Sequence, residues 1–157
     1  MPDMNNVNVL GFSGLTSGRL LGKLRNRVFS VSQYKNIVIH VGTNDIFDIS
    51  CTQFESNMMQ IIDEIRISNS SACIILSSIL PRSKDFKDSK SFVFNFNEKL
   101  KHFSEVTSNV KYMSAEKSFL NRFGFPIKVL FQKDKLHLNL TGLNKFEKFL
   151  ANSLTHL

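Results

Sequence analysis

Short apolar runs alternate with longer segments of helical period along this chain. The runs occupy residues 7–10, 37–41, 72–76 and 110–113. Their length suits strands of a buried sheet, and β-branched residues are frequent in them. Turn residues bound several of the runs, such as Gly42 and Pro81. The pattern predicts four β strands, each followed by a helical segment.

Apolar residues recur at helical spacing in the segments after the runs. One helix is predicted to begin with Thr52 and Glu55, because this pair matches the capping-box pattern. The other helices are predicted around residues 20–28, 91–104 and 141–154. Strands separated by helices of this length pair in parallel through right-handed crossovers. The fold class is therefore α/β, a three-layer α/β/α sandwich.

Length and composition indicate one globular domain spanning residues 1–157. Hydrophobic residues make up 42% of the chain and charged residues 21%, which excludes a disordered or fibrous protein. We expect no membrane span, because no apolar run approaches about 18 residues. The N-terminus lacks the pattern of a signal peptide, so an intracellular protein is expected. Cys51 and Cys73 are expected to be free thiols, and the sequence calls for neither a metal nor a cofactor.

The formal net charge of +7 is distributed unevenly. Basic and acidic residues balance through Ser78, six of each, whereas the remainder carries fourteen basic and seven acidic residues. Such an excess can attract phosphates, including RNA or single-stranded DNA, but it also fits an ordinary solvated surface. The clusters that carry it are Arg82, Lys84, Lys87 and Lys90, and Lys128, Lys133 and Lys135.

Three segments that follow strands or precede the last helix carry candidate chemistry: residues 11–18, 42–45 and 134–139. Asp134 lies three residues before His137, so its carboxylate can fix the imidazole tautomer and leave Nε2 free as a general base. Gly14 and Asn44 can direct a backbone and a side-chain donor at one developing negative charge, as in an oxyanion hole. Taken singly, each segment also fits an ordinary turn.

These motifs together resemble the SGNH (GDSL-type) esterases and lipases. Gly14 stands at the position of the family's oxyanion glycine, and Asn44 in the sequence Gly-Thr-Asn-Asp at that of its side-chain donor. The resemblance implies that His137 is the catalytic base with Asp134 as its partner. It also implies a flavodoxin-like parallel sheet and structural support of the site by Gly42 and Asp45. Residues 77–82, Ser-Ser-Ile-Leu-Pro-Arg, are similar to the esterase-like domains of animal non-LTR retrotransposons.

The sequence departs from this family at the nucleophile. No Gly-Asp-Ser motif precedes Gly14, and Ser13 and Ser17 belong to the glycine turn itself. The chain is therefore expected to be an N-terminally incomplete hydrolase domain, with little or no activity on a carboxylic or acetyl ester. The alternative is a non-catalytic module of retrotransposon origin that binds nucleic acid or protein.

The same departure affects the sheet. In the family the first strand is central, and it precedes the glycine turn. The 7–10 segment must therefore pair with residues 37–41 or leave backbone groups without partners.

Overall fold

The computed structural model of the protein describes residues 6–157. Seven helices and strands alternate along this part of the chain. In order they are α1 (Ser17–Arg25), β1 (Asn36–Ile39), α2 (Cys51–Ser68), β2 (Cys73–Ser77), α3 (Phe86–Val106), β3 (Val110–Met113) and α4 (Leu140–Thr155). Two short 3₁₀ helices, Glu116–Phe119 and Lys128–Leu130, lie between β3 and α4.

The three strands form one parallel sheet in the order β1-β2-β3. Ile74 of β2 lies opposite Ile37 of β1 and Val110 of β3. Side chains alternate across a strand, so Ile74 and Leu76 face the helices α1, α2 and α3. Ile75 faces the other way and lines a cavity with Phe149 of α4. The predicted three-layer α/β/α sandwich is confirmed.

The principal core lies between the sheet and the layer of α1, α2 and α3. Phe54 of α2 and Phe96 of α3 stack with ring centroids 4.4 Å apart, and both are essentially inaccessible to solvent. Burying an aromatic side chain of this size is among the largest single contributions to a core. The turns after β1 and β2 rest directly on this layer, which fixes their positions.

The prediction of a strand at residues 7–10 is wrong. This segment forms no strand, and Val9 and Leu10 are 82% and 58% exposed. The reason is the absence of a partner: no backbone hydrogen bond joins this segment to the sheet among residues 6–157. An apolar run needs a neighbouring strand to satisfy its backbone before its side chains can be buried.

All four predicted helices begin earlier than predicted, and α1 begins at Ser17 instead of near residue 20 and ends at Arg25 instead of near residue 28. The N-cap of α2 is Ser50, whose hydroxyl accepts a hydrogen bond from the Gln53 amide at 3.0 Å. The helix α3 begins at Phe86 instead of near residue 91, because amides of the next residues bond back to the Asp85 carbonyl. No helix within residues 6–157 is long and apolar enough to cross a membrane.

Candidate active site

The turn that carries Gly14 meets the loop that follows β1. Gly14 has φ +64°, a left-handed conformation that favours glycine. The Asn44 side chain donates a hydrogen bond from Nδ2 to the Leu15 carbonyl at 3.1 Å. The two residues predicted for the oxyanion hole therefore belong to segments that touch, although they are about thirty residues apart in sequence.

Asp45 fastens the start of α1 to the same loop. Its carboxylate is 2% exposed and accepts hydrogen bonds from the Ser17 amide at 2.9 and 3.1 Å and from the Ser17 hydroxyl at 2.8 Å. Burial raises the pKa of Asp45, while the hydrogen bonds from Ser17 act in the opposite direction. Asn57 of α2 donates to the Ser17 hydroxyl at 2.9 Å. Both the amide and the hydroxyl of Ser17 are therefore used in hydrogen bonds that hold the start of α1 against this loop.

Gly42 allows the loop after β1 to lie against the core. Its φ of +125° is rarely adopted by residues with a side chain. A Cβ atom at this position would lie 2.5 Å from Ile79 Cδ1 and 3.1 Å from the Phe54 ring. Both the backbone conformation and the lack of space require glycine here. The role of Gly42 and Asp45 in supporting a catalytic site stays a prediction.

Arg82 joins the loop after β2 to the loop after β1. Its Nε and Nη2 donate to the two Asp85 carboxylate oxygens at 2.9 and 2.6 Å, and Nη1 donates to the Thr43 carbonyl at 2.6 Å. Hydrogen bonds from Arg82 hold the pKa of Asp85 below its usual value, although burial alone would raise it. The Phe47 ring lies beneath the guanidinium at 5.2 Å. Arg82 is thereby placed as a clamp on the Gly42–Asp45 loop.

Asp134 and His137 form a hydrogen-bonded pair in the loop before α4. The Asp134 Oδ2 to His137 Nδ1 distance is 2.5 Å, and Asp134 Oδ1 accepts from the Leu136 and His137 amides at 2.9 and 3.0 Å. The bond to His137 and these amides lower the pKa of Asp134 to about 2. With Nδ1 bonded to the carboxylate, Nε2 is left as the free ring nitrogen.

The loop of this pair is connected to the loop after β2, which carries Arg82. The Lys84 amide donates to the Lys135 carbonyl at 2.8 Å. Lys135 itself has φ +60°, a left-handed conformation that disfavours most side chains. Hydrogen bonds from the Asn44 and Arg82 side chains and from the Lys84 amide therefore link all three predicted segments. The convergence of Gly14, Asn44 and His137 on one cleft stays a prediction.

Within residues 6–157, no hydroxyl or thiol forms a hydrogen bond with His137 Nε2. The Ser17 hydroxyl is bonded elsewhere, and Ser13 is exposed in the glycine turn. The arrangement holds a candidate base, a carboxylate that orients it and candidate oxyanion donors, and none of the residues 6–157 supplies a nucleophile in contact with His137 Nε2.

Residues 2–143 match the sequence profile of the GDSL-like lipase/acylhydrolase family. The chain belongs to this family. No curated protein sequence matches it.

Several solved structures share the fold of this family member. A GDSL-like lipase from Bacteroides thetaiotaomicron is 18% identical, with a TM-score of 0.78, covering 94% of this chain and 74% of its own. The lipase/acylhydrolase from Enterococcus faecalis is 18% identical, with a TM-score of 0.72 and coverage of 90% and 71%. The OSK domain of Drosophila Oskar is 19% identical, with a TM-score of 0.77 and coverage of 90% and 71%. At these identities the likeness concerns the fold alone.

Sequence reasoning missed three features of the site. It placed Arg82 in a basic cluster and did not predict its hydrogen bonds to Thr43 and Asp85. It did not find the bonds of Ser17 with Asp45 and Asn57, because no local pattern signals them. The left-handed residue Lys135 carries no sequence signal either, since lysine has no preference for that conformation.

Proposed function

We propose that this chain is an SGNH-type ester hydrolase domain, formed by residues 1–157, whose activity is very low as it stands. The substrate class is a small carboxylic or acetyl ester. The observation that carries the proposal is the hydrogen bond between Asp134 and His137 in a member of the GDSL-like family. That bond holds an imidazole in the tautomer of a general base.

In this proposal His137 takes a proton from an attacking water molecule through Nε2 while the water oxygen bonds to the acyl carbon. The developing oxyanion accepts hydrogen bonds from the Gly14 amide and the Asn44 carboxamide. Asn44 has a second Nδ2 hydrogen for this purpose, because only one is used by the Leu15 carbonyl. His137 then gives this proton to the oxygen of the leaving group as its bond to the acyl carbon breaks, which releases an alcohol and a carboxylic acid.

The low activity follows from the surroundings of Nε2. Without a bonded nucleophile, catalysis falls to what binding and oxyanion stabilisation supply, about 10³–10⁴-fold over water in serine hydrolases. Water activated directly by His137 is the remaining route to ester cleavage.

The test is the hydrolysis of p-nitrophenyl acetate by the unaltered chain and by His137→Ala. We expect a slow rate that His137→Ala reduces to the buffer rate. His102→Ala is the matched control, because His102 is also an exposed histidine, with 56% of its side chain accessible. Fast turnover abolished by His137→Ala would show that a nucleophile is present, and Ser13 would be changed next. A rate unaffected by His137→Ala contradicts the proposal.

A second candidate function is binding of single-stranded nucleic acid, which the arrangement of the basic clusters favours. The Lys84–Lys135 backbone contact joins the loops that carry the two clusters. Their lysines are exposed, whereas Arg82 is buried against Asp85 and takes no part in this basic region. Exposed aromatic rings lie beside it: Phe125 is 59% exposed and its ring centroid is 5.9 Å from that of Phe86. Basic side chains next to exposed rings suit phosphates and stacked bases. The similarity to retrotransposon domains agrees with such a role.

Mobility-shift titration of a single-stranded RNA at two salt concentrations tests this candidate. The log–log slope should be roughly −0.7 per phosphate contact. A double change of Lys84 and Lys135 to Glu should weaken binding at least tenfold. Lys145→Glu on α4 is the control outside the basic region, and it should have a smaller effect. The absence of binding at low salt, or an affinity that does not change with salt concentration, would contradict this candidate function.

A further inference from the structure

A cavity of about 520 Å³ lies between α3 and the segment that follows β3. One face of α3 forms one wall, and Tyr112 together with residues of the 114–120 segment forms the other. This volume is within the range of about 300–1,000 Å³ for small-molecule sites. Among the described residues, its lining contains none of those predicted for the catalytic pair or the oxyanion hole. The cavity is therefore distinct from the candidate active site.

The end of the cavity nearest the start of α3 is basic. Lys90 is exposed there and forms no ion pair within the described part of the chain. Ser89 is fully buried, and its hydroxyl has no hydrogen-bond partner of normal geometry among residues 6–157. Rotation about one side-chain bond directs this hydroxyl into the cavity. A free ammonium and a free hydroxyl are ordinary ligands of a phosphate group.

The opposite end of the cavity carries two carboxylates, Glu98 of α3 and Glu116 of the 3₁₀ helix. Glu116 Oε1 accepts a hydrogen bond from the Ser114 hydroxyl at 2.7 Å, whereas Oε2 is shielded from solvent and has no partner among residues 6–157. Burial raises the pKa of Tyr112, and the nearby charges of Glu116 and Glu98 raise it further, so the three side chains lie close together. Because buried polar groups are usually hydrogen-bonded, Glu116 Oε2 is an acceptor that suits an N–H donor of a ligand.

Two further lysines, Lys101 and Lys117, line the cavity near this acidic end. Both are exposed, and neither lies within 4 Å of a carboxylate oxygen of the described chain. The two glutamates are therefore not neutralised by ion pairs. Arg82 is paired with Asp85, so three lysines against two glutamates leave the lining with a net charge of +1. This balance favours an anionic ligand that also carries hydrogen-bond donors.

The middle of the cavity is apolar and offers an aromatic ring. Val93 is buried beneath it, and Phe94 lies beside it with 63% of its surface exposed. An exposed ring next to an apolar floor is a platform on which a planar base can stack. Lys90 and Glu98 are eight residues apart on α3, which corresponds to about 12 Å at 1.5 Å per residue. This separation is comparable to the length of a nucleoside monophosphate.

We propose that this cavity binds a guanine nucleotide, with the phosphate at Lys90 and Ser89 and the base between Phe94 and the Glu116 carboxylate. Guanine suits the acidic end because its N1–H and 2-amino groups are adjacent donors, which a carboxylate can accept side by side. A small rotation of the Glu116 side chain directs Oε2 at the base. The site does not depend on the proposed ester hydrolase function, because the two share no residue.

Calorimetric titration of the full chain with guanosine 5′-monophosphate is the first experiment. Inosine 5′-monophosphate lacks only the 2-amino group and should bind about tenfold more weakly, because one hydrogen bond to the carboxylate is lost. Guanosine lacks the phosphate and should also bind about tenfold more weakly. Equal affinities for the two monophosphates, or no binding of either, would overturn the proposal. Inorganic phosphate that binds as tightly as the nucleotide would show a simple anion site, and would overturn it as well.

Three variants locate the binding. Glu116→Gln keeps an acceptor for the Ser114 hydroxyl, and it should bring the affinities for the guanosine and inosine nucleotides close together. Phe94→Ala should weaken nucleotide binding about tenfold, while Phe123→Ala, a change of a 70% exposed ring outside the lining, should not.

Lys90→Gln should weaken binding of guanosine 5′-monophosphate but leave that of guanosine unchanged, because only the nucleotide carries the phosphate. Lys145→Gln on α4 is the matched control, since this lysine is also exposed and lies outside the lining. Phe94 and Lys90 are both exposed, so their replacement does not depend on refolding of the core. Affinities unchanged in both variants would place the ligand elsewhere and overturn the proposal.

A short RNA distinguishes a free nucleotide from the end of a longer chain. The probe is an oligouridine that begins with guanosine 5′-monophosphate. Binding at least tenfold tighter than that of the nucleotide, and weakened by Phe94→Ala, supports the cavity with an RNA end as its ligand. Equal or weaker binding supports a free nucleotide. RNA binding that is insensitive to Phe94→Ala, without any binding of the nucleotide, overturns the cavity and leaves the second candidate function intact.

Discussion

The two halves of the candidate site are held by different kinds of contact. The Gly42–Asp45 loop rests on the core, with Gly42 against Ile79 and Asp45 only 2% exposed. The side chains of Asp134 and His137 are 46% and 71% exposed, and most of their bonds arise within one short turn. The Gly42–Asp45 loop is therefore held by packing against the core. The Asp134–His137 pair is held by hydrogen bonds within its own turn.

This difference indicates which substitutions in the candidate site should lower the free energy of unfolding. A change in the buried half disturbs the core, because densely packed side chains have no room to relax. A change in the exposed half alters the pair without unfolding the protein, because solvent replaces the lost contacts. Four measurements test this contrast, in order of decreasing expected effect.

Gly42→Ala should have the largest effect. The new Cβ would meet Ile79 at 2.5 Å and the backbone would keep a φ of +125°. We expect a loss of about 2–4 kcal/mol in the free energy of unfolding. Gly11→Ala is the control, because nothing lies within 4 Å of its added Cβ. Urea denaturation of both variants measures the difference, and equal stability would contradict the tight packing of the loop.

Arg82→Ala should follow. It leaves the Asp85 carboxylate and the Thr43 carbonyl without their donor in a largely buried setting. The expected loss is about 2–3 kcal/mol. Arg25→Ala removes an ion pair to Glu64 whose arginine is 50% exposed, and should cost less than about 1 kcal/mol. If Arg82→Ala and Arg25→Ala lower the free energy of unfolding equally in urea denaturation, the hydrogen bonds of Arg82 to Thr43 and Asp85 do not stabilise the protein.

Lys135→Gly should be mildly stabilising. Its φ of +60° costs a non-glycine residue about 1–2 kcal/mol, part of which glycine loses again through chain entropy. We expect a net gain of about 0.5–1 kcal/mol in the free energy of unfolding. Lys133→Gly, in the same loop without a left-handed φ, should be neutral or destabilising. If thermal denaturation shows Lys133→Gly to be more stable than Lys135→Gly, the backbone of Lys135 is not strained.

The pH dependence of the Asp134–His137 pair should affect stability least. The pKa of Asp134 is lowered to about 2, so its favourable contribution is complete above the unfolded value of about 3.9. That contribution is lost as the pH falls through about 2. Carbon-detected NMR of the Asp134 carboxyl should show this low midpoint, and His137→Ala should raise it. A midpoint near 4 in the unaltered chain would mean that the hydrogen bond does not form.

Three of the four predicted strands became β1, β2 and β3, because each has a neighbour that satisfies its backbone. The 7–10 segment has the same apolar character but remains exposed. Leu76 is fully buried while Val9 is 82% exposed, so β propensity alone does not decide burial. Burial also requires a neighbouring strand to pair with, and a short window of sequence does not show whether one is present.

Helix ends were predicted less well than helix positions. The Thr52–Glu55 pattern favoured a start two residues late, because Ser50 was an equally good cap nearby. For α3, polar residues before position 91 concealed the first turn. Amphipathic spacing locates the middle of a helix, but the ends depend on which residue caps the helix in the folded chain.

The sequence by itself determined the α/β class, the parallel pairing of the strands, and the pairing of Asp134 with His137. These rest on short-range patterns, since alternation, helical period and a three-residue spacing act within one element or turn. Only the tertiary structure decided the bond between Asn44 and Leu15, the burial of Asp45 on Ser17, the clamp of Arg82 on Thr43 and the cavity between α3 and the segment after β3. Each of these depends on segments that are distant in sequence, and the packing of the whole sheet and its helices is what brings them together.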